Sequence, residues 1–162
     1  MQITISVTSC RPSKRHSDAE PFDFRFNQAP NERLFTALCE AYAATGGVAC
    51  GDDLAPLMAD YGPEATNHTL ARLIANKDLF YFQWQGAKWI PMVQFHLDDL
   101  SINNLIRQIR RELGDHRDGW EAASWFVCPN DWLSGQRPVD LVDRDPDAVV
   151  QAARADRFVA GG

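Results

Sequence analysis

Apolar residues recur at three- and four-residue steps over much of the chain. Leu34, Leu38 and Ala41 predict an amphipathic helix over 32–44, with Asn31 as N-cap and Gly46-Gly47 as its stop. Leu54, Leu57, Met58 and Tyr61 predict a second helix over 52–61. Its Pro56 is tolerable close to the first turn, and Asp52-Asp53 suits the helix dipole. Gly62-Pro63 breaks the chain, and Leu70, Leu73 and Ile74 mark a third helix over 64–76. Helix, short break and helix give a helix-turn-helix outline. The aromatic run 80–84, the turn Gln85-Gly86 and Lys88-Trp89-Ile90 then predict a β-hairpin wing. Pro91 cannot donate to a ladder, which predicts an edge position for the second strand.

Beyond the hairpin the pattern is helical again. Ser101 is the expected cap of a helix over 102–113, with Ile102, Leu105, Ile106, Ile109 and Leu113 as its stripe. Asp118 and Glu121 stand at capping-box spacing before a helix to about Val127. Arg137-Pro138 opens a short helical turn over 139–142, and Asp145-Pro146 opens a last helix to about Arg157. Residues 1–30, with three prolines and no helical period, predict a mobile arm with one short strand at 2–7. The fold expected is mainly α. A helix-turn-helix-like half with a hairpin wing, 31–95, packs on a small helical half, 96–162.

Composition narrows the function. The 162 residues are 45% apolar and 23% charged, an ordinary globular balance. No apolar run approaches the roughly 20 residues of a membrane span. Apolar residues precede the basic ones at the N-terminus, the reverse of a signal peptide, so a cytoplasmic location is expected. The net charge of −6 argues against a general nucleic-acid binder. Residues 31–80 hold three basic and seven acidic residues, and residues 118–162 hold four and eight. The acidic C-terminal third suits a protein or a cationic groove.

Catalytic signatures are absent from the sequence. There is no G-x-S-x-G, Gly-rich phosphate loop, H-E-x-x-H or Ca²⁺ loop. Cys10, Cys39, Cys50 and Cys128 stand alone, without zinc-ligand spacing, and Cys39 and Cys128 read as small core residues. No metal or cofactor is expected. His96 near Asp98 reads either as a polar surface histidine or as half of an acid–base pair. Asp98-Asp99, like Asp52-Asp53, reads as charge at a helix start. Phe80, Phe82, Trp84 and Trp89 read as the core of a small sheet, against the alternative of base stacking. On the third helix, His68, Thr69, Arg72, Asn76 and Lys77 are the candidate DNA-reading residues, or else a solvated face.

From Gly119 onward the sequence carries several spaced motifs. Gly119-Trp120-Glu121-Ala122-Ala123 leads through Trp125 to Pro129-Asn130-Asp131-Trp132-Leu133. Gly135-Gln136-Arg137-Pro138-Val139-Asp140-Leu141-Val142 follows, then Asp145-Pro146-Asp147-Ala148-Val149 and Ala152-Ala153. Upstream, Trp89-Ile90-Pro91-Met92-Val93-Gln94-Phe95 has a W-x-P-x-x-Q-F form. Over about residues 80–160 this resembles the toxin-binding domain of the Xre/MbcA/ParS-type antitoxins. Gln136 stands where that family commonly has Arg, and Arg137 falls in its variable slot.

The resemblance implies a non-catalytic antitoxin that covers the cleft of a cognate RES-domain toxin, an enzyme that consumes NAD or transfers ADP-ribose. It also implies a homodimer and possible repression at a DNA operator. The toxin contacts expected are Trp132, Arg137, Asp140, Arg154, Arg157 and Phe158. Taken structurally, the same motif needs no toxin: Gly135 supplies a turn, Pro138 starts a helix and Asp140 lies in its first turn. Residues 154–162 read either as a fraying end or as a slim plug whose removal leaves the fold intact. A DNA-binding regulator without a toxin is the alternative function, and a stand-alone enzyme a third.

Overall fold

A computed structural model describes residues 30–60 and 69–161. The expected strand at 2–7, nearly all of the arm, Tyr61 and His68 lie outside them. The described elements run in the order α1 (Glu32–Tyr42), β1 (Val48–Cys50), α2 (Gly51–Asp60), α3 (Leu70–Ala75), β2 (Phe82–Trp84) and β3 (Ala87–Pro91), and then α4 (Asn104–Leu113), α5 (Gly119–Val127), α6 (Pro138–Leu141) and α7 (Pro146–Gly161). The protein is mainly helical with one small antiparallel sheet.

That sheet has the order β1-β3-β2. β3 is therefore central, and the expectation of an edge strand is corrected. Val48 faces Pro91 at the last position of β3. The ladder is ending there, so the missing Pro donor costs little, and the next donor, the Met92 N–H, reaches the Gly47 carbonyl at 2.9 Å.

Alternation along the strands divides the core. Val48 and Phe82 belong to a larger apolar cluster with Phe35, Leu38, Tyr42 and the inner faces of α4 to α7. Ala49 and Ile90 belong to a smaller one with Leu54, Met58, Leu70, Leu73 and Met92. A period of two sends successive side chains to opposite faces, so this short sheet is a wall between two cores. The larger cluster draws on both sides of residue 95. Phe80 and Phe82 are core aromatics, as expected, and Trp84 and Trp89 pack half-buried against the same cluster. Phe35 lies stacked on Trp84 at 5.5 Å and edge-on to Trp89 at 4.9 Å, and Phe80 stacks on Phe126 at 5.2 Å.

Two contacts close the larger core. Buried Tyr42 donates its hydroxyl to the Ala123 carbonyl at 2.6 Å, and burial pushes its pKa well above the usual phenol value. The start of α5 lies against β2, where the Trp120 indole N–H donates to the Gln83 carbonyl at 3.1 Å. At Gly119 a Cβ would overlap the Tyr81 carbonyl oxygen, so only glycine allows this approach.

Several boundaries differ from the sequence expectation. Thr69 caps α3 through its hydroxyl, in extended backbone, so α3 begins at Leu70 and not at 64. Asn103, not Ser101, caps α4, by accepting from the Leu105 and Ile106 N–H groups. Asp98 and Asp99 lie in the turn before it and not at a helix start. The Ser101 side chain, and after it the Ser101 N–H at 2.8 Å, hydrogen-bonds to Asp99 and lowers its pKa. The capping box at Asp118 and Glu121 is present in both directions. Cys39 and Cys128 are half-buried and not core residues proper. α7 continues four residues past Arg157, to Gly161. No helix among the described residues is long and apolar enough to cross a membrane.

Candidate protein-binding site

The Asn130–Gln136 segment builds the site. Asn130 accepts from the Trp132 backbone N–H at 2.9 Å and opens a 3-10 turn, Asp131–Leu133. Ser134 and Gly135 follow with φ of 56° and 78°, and the chain returns to bridge Asn130 with Gln136. Gly135 thus supplies the turn expected of it. This tight loop seats Leu133 in the core and leaves Trp132 outside, 59% exposed.

Asp156, on α7, gathers three donors. Its carboxylate accepts from the Trp125 indole at 2.6 Å, the Asn130 amide at 2.9 Å and the Trp132 indole at 3.0 Å. The sequence reading missed this residue. Its partners lie 24 to 31 positions upstream, beyond any local motif. A recess of about 210 Å³ beside it is walled by Arg117, Trp125, Pro129, Asn130, Asp131 and Trp132.

Past Asp156, the last turn of α7 presents further apolar side chains, with Phe158 turned about 200° from Asp156 around the helix. Phe158 and Val159 are 83% and 67% exposed. With Trp132 they make up three of the four large exposed apolar side chains among the described residues. The fourth, Leu97, sits apart in the turn before α4. Arg154 donates to Glu112 on α4 at 2.8 Å, an ion pair that raises the Arg154 pKa and lowers that of Glu112. Arg157 and Phe158 share a shallow hollow with that pair.

The remaining expected contacts are less free. Arg137 holds Asp140 through two hydrogen bonds, 2.6 and 2.8 Å, and this raises the Arg137 pKa. The two therefore offer a neutralised pair. At the two ends of α3, Thr69 is occupied as a cap, and Lys77 is paired with Asp115, in the turn after α4, at 2.9 Å. Arg72 and Asn76 are exposed there. The structure thus places Trp132 against Asp156, gathers Arg154, Arg157 and Phe158 in a separate hollow with Glu112, and keeps the α3 residues apart on another element. His96 is exposed, with no resolved role beyond its backbone bonds to Leu100 and Ser101.

Fold and site define a mainly helical protein with a small antiparallel sheet and exposed aromatic side chains on and beside its last helix. Comparison with protein-family models, curated proteins and solved structures returned no match to this chain.

Proposed function

We propose that the chain is an antitoxin that binds a RES-domain toxin and neutralises it sterically, in the cytoplasm and without catalysis or cofactor of its own. The observation that carries the reading is Trp132, 59% exposed and held at its ring edge by Asp156, with Phe158 and Val159 exposed farther along α7. Large exposed apolar side chains of this kind suit contact with another macromolecule. The toxin class rests on the motifs from Gly119 to Ala153 and their resemblance to the antitoxin family. The acidic balance of residues 118–162 supports a protein partner over a nucleic acid. Such an antitoxin would act as a homodimer.

The test is co-expression with the RES-type toxin from the neighbouring reading frame. The reading expects restored growth and a complex that survives purification. Full toxicity, with the two proteins eluting separately, overturns it.

One observation favours a second reading, a DNA-binding regulator. The element order α1-β1-α2-α3-β2-β3 with sheet order β1-β3-β2 suits a winged helix-turn-helix. Against it stand the acidic balance of 31–80 and the engagement of Thr69 and Lys77.

A further inference from the structure

Trp132 combines two properties that seldom occur together. Its ring is more than half exposed, yet both of its N–H groups are already satisfied inside the protein. An indole N–H usually gives a surface tryptophan its polar handle. Here Asp156 takes that handle, so what faces outward is bare apolar ring. The same carboxylate holds Trp125 and Asn130, both anchored in the fold. Trp132 is therefore fixed at its backbone and at its ring edge before any partner arrives. A side chain ordered in advance loses little rotamer entropy on binding.

We infer that Asp156 is a positioning residue that holds Trp132 as the pre-ordered anchor of the toxin interface, for an apolar recess ringed by basic side chains. The inference rests on the antitoxin reading for the partner's identity. The basic ring follows from charge. Residues 118–162 hold eight acidic and four basic side chains; the Arg137–Asp140 pair cancels one of each and Arg154 is spent on Glu112, which leaves seven acidic against two basic, with Arg117 a further basic group beside the recess. Exposed Asp131 lies directly beside the anchor.

The experiment is a double-mutant cycle on the full chain, read as affinity for the RES toxin. Trp132→Ala should weaken binding by about 30-fold or more, the scale of an interface hot spot. Asp156→Asn should weaken it about 10-fold, and by less than about 2-fold further once Trp132 is already alanine, because it acts through that ring. Trp132→Phe keeps a ring but loses the donor, and should fall between wild type and Trp132→Ala. A purely structural Asp156 would give the same loss in both backgrounds, and that outcome overturns the inference. A second readout is the Trp132 indole N–H in a ¹H–¹⁵N spectrum, assigned by Trp132→Phe. It should exchange slowly in the free protein and rapidly in Asp156→Asn, and unchanged exchange overturns the positioning role. Affinity should fall as salt rises, and a salt-independent affinity overturns the basic ring. Failure of the wild-type chain to bind any RES toxin overturns the antitoxin reading and this inference together. Tight wild-type binding untouched by Trp132→Ala overturns the inference alone.

Discussion

Gly119 shows how one missing side chain sets the distance between two elements. α5 comes so close to β2 that a Cβ would occupy the space of the Tyr81 carbonyl oxygen. Gly119→Ala should therefore destabilise by about 3 kcal/mol or more, at the upper end of overpacking effects, and denaturant unfolding measures it. Gln94 works through bonds instead. Buried at 3% exposure, it accepts from the Phe80 N–H at 2.7 Å and donates to the Phe80 carbonyl at 2.8 Å and the Pro91 carbonyl at 3.1 Å. Gln94→Leu should cost about 3 kcal/mol, because Phe80 loses both partners in a dry site. An unfolding midpoint equal to wild type would contradict this. These residues also mark what sequence alone can reach. The Asp118–Glu121 box spans three residues and could be read directly. Gln94 was legible only as part of a motif, without its role. Asp156 was not legible, since its donors become neighbours only when α7 packs beside the Asn130–Gln136 loop.

Among the elements, the periodic helices and the starts of α1, α5 and α6 were legible, and the starts of α3 and α4 were not. The stripes of α1, α2 and α4 put Leu34, Leu38, Leu54, Met58, Ile106, Ile109 and Leu113 in the core as expected. β1 went unread because three residues carry too little pattern, and without it β3 looked like an edge. α7 outran its expected end because Ala160 and Gly161 carry no signal strong enough to continue or stop a helix. The added length changes the tail experiment. Removing residues 154–162 would also remove Asp156 and Arg154, both tied to the fold. Removal of 158–162 spares them. It should leave circular dichroism unchanged and weaken neutralisation, since Phe158 and Val159 go with it. A truncated, folded protein that neutralises fully would exclude the end of α7 from the interface.

Ion pairs join these elements at exposed positions. Arg154 lowers the Glu112 pKa and Lys77 lowers that of Asp115. A carboxylate with a depressed folded pKa stabilises the protein above its unfolded value, and the effect is lost as pH falls through the folded value. The loss should therefore begin near the ordinary values of 4.5 and 3.8 and finish below them. It should be small, because both pairs face solvent. Thermal melts from pH 6 to pH 2.5 should fall less steeply for Glu112→Gln with Asp115→Asn than for wild type. Parallel curves would contradict the assignment.

The whole molecule is organised around its small sheet. α2 and α3 contribute to one core, α1 and α4 to α7 to the other, and Trp132 and Phe158 stand exposed on the side of the second. Charge follows the same division poorly for a DNA reader. With −4 over residues 31–80, the chain alone should bind duplex DNA no more tightly than about micromolar at physiological salt. Nanomolar, sequence-specific retention in a gel-shift assay would put the regulator ahead of the antitoxin. The fold class was legible here because helical periods dominate the chain. Of the candidate site, Trp132 stood in a motif and Phe158 in the tail, while the Asp156 contacts that hold Trp132 follow no linear pattern. The most direct measurement of the central claim is NAD consumption by the purified RES toxin as this chain is titrated in. The account predicts a steep loss of turnover that levels off at a fixed stoichiometric ratio, as for an inhibitor that covers the cleft. Turnover that stays constant with the chain in large excess would contradict it.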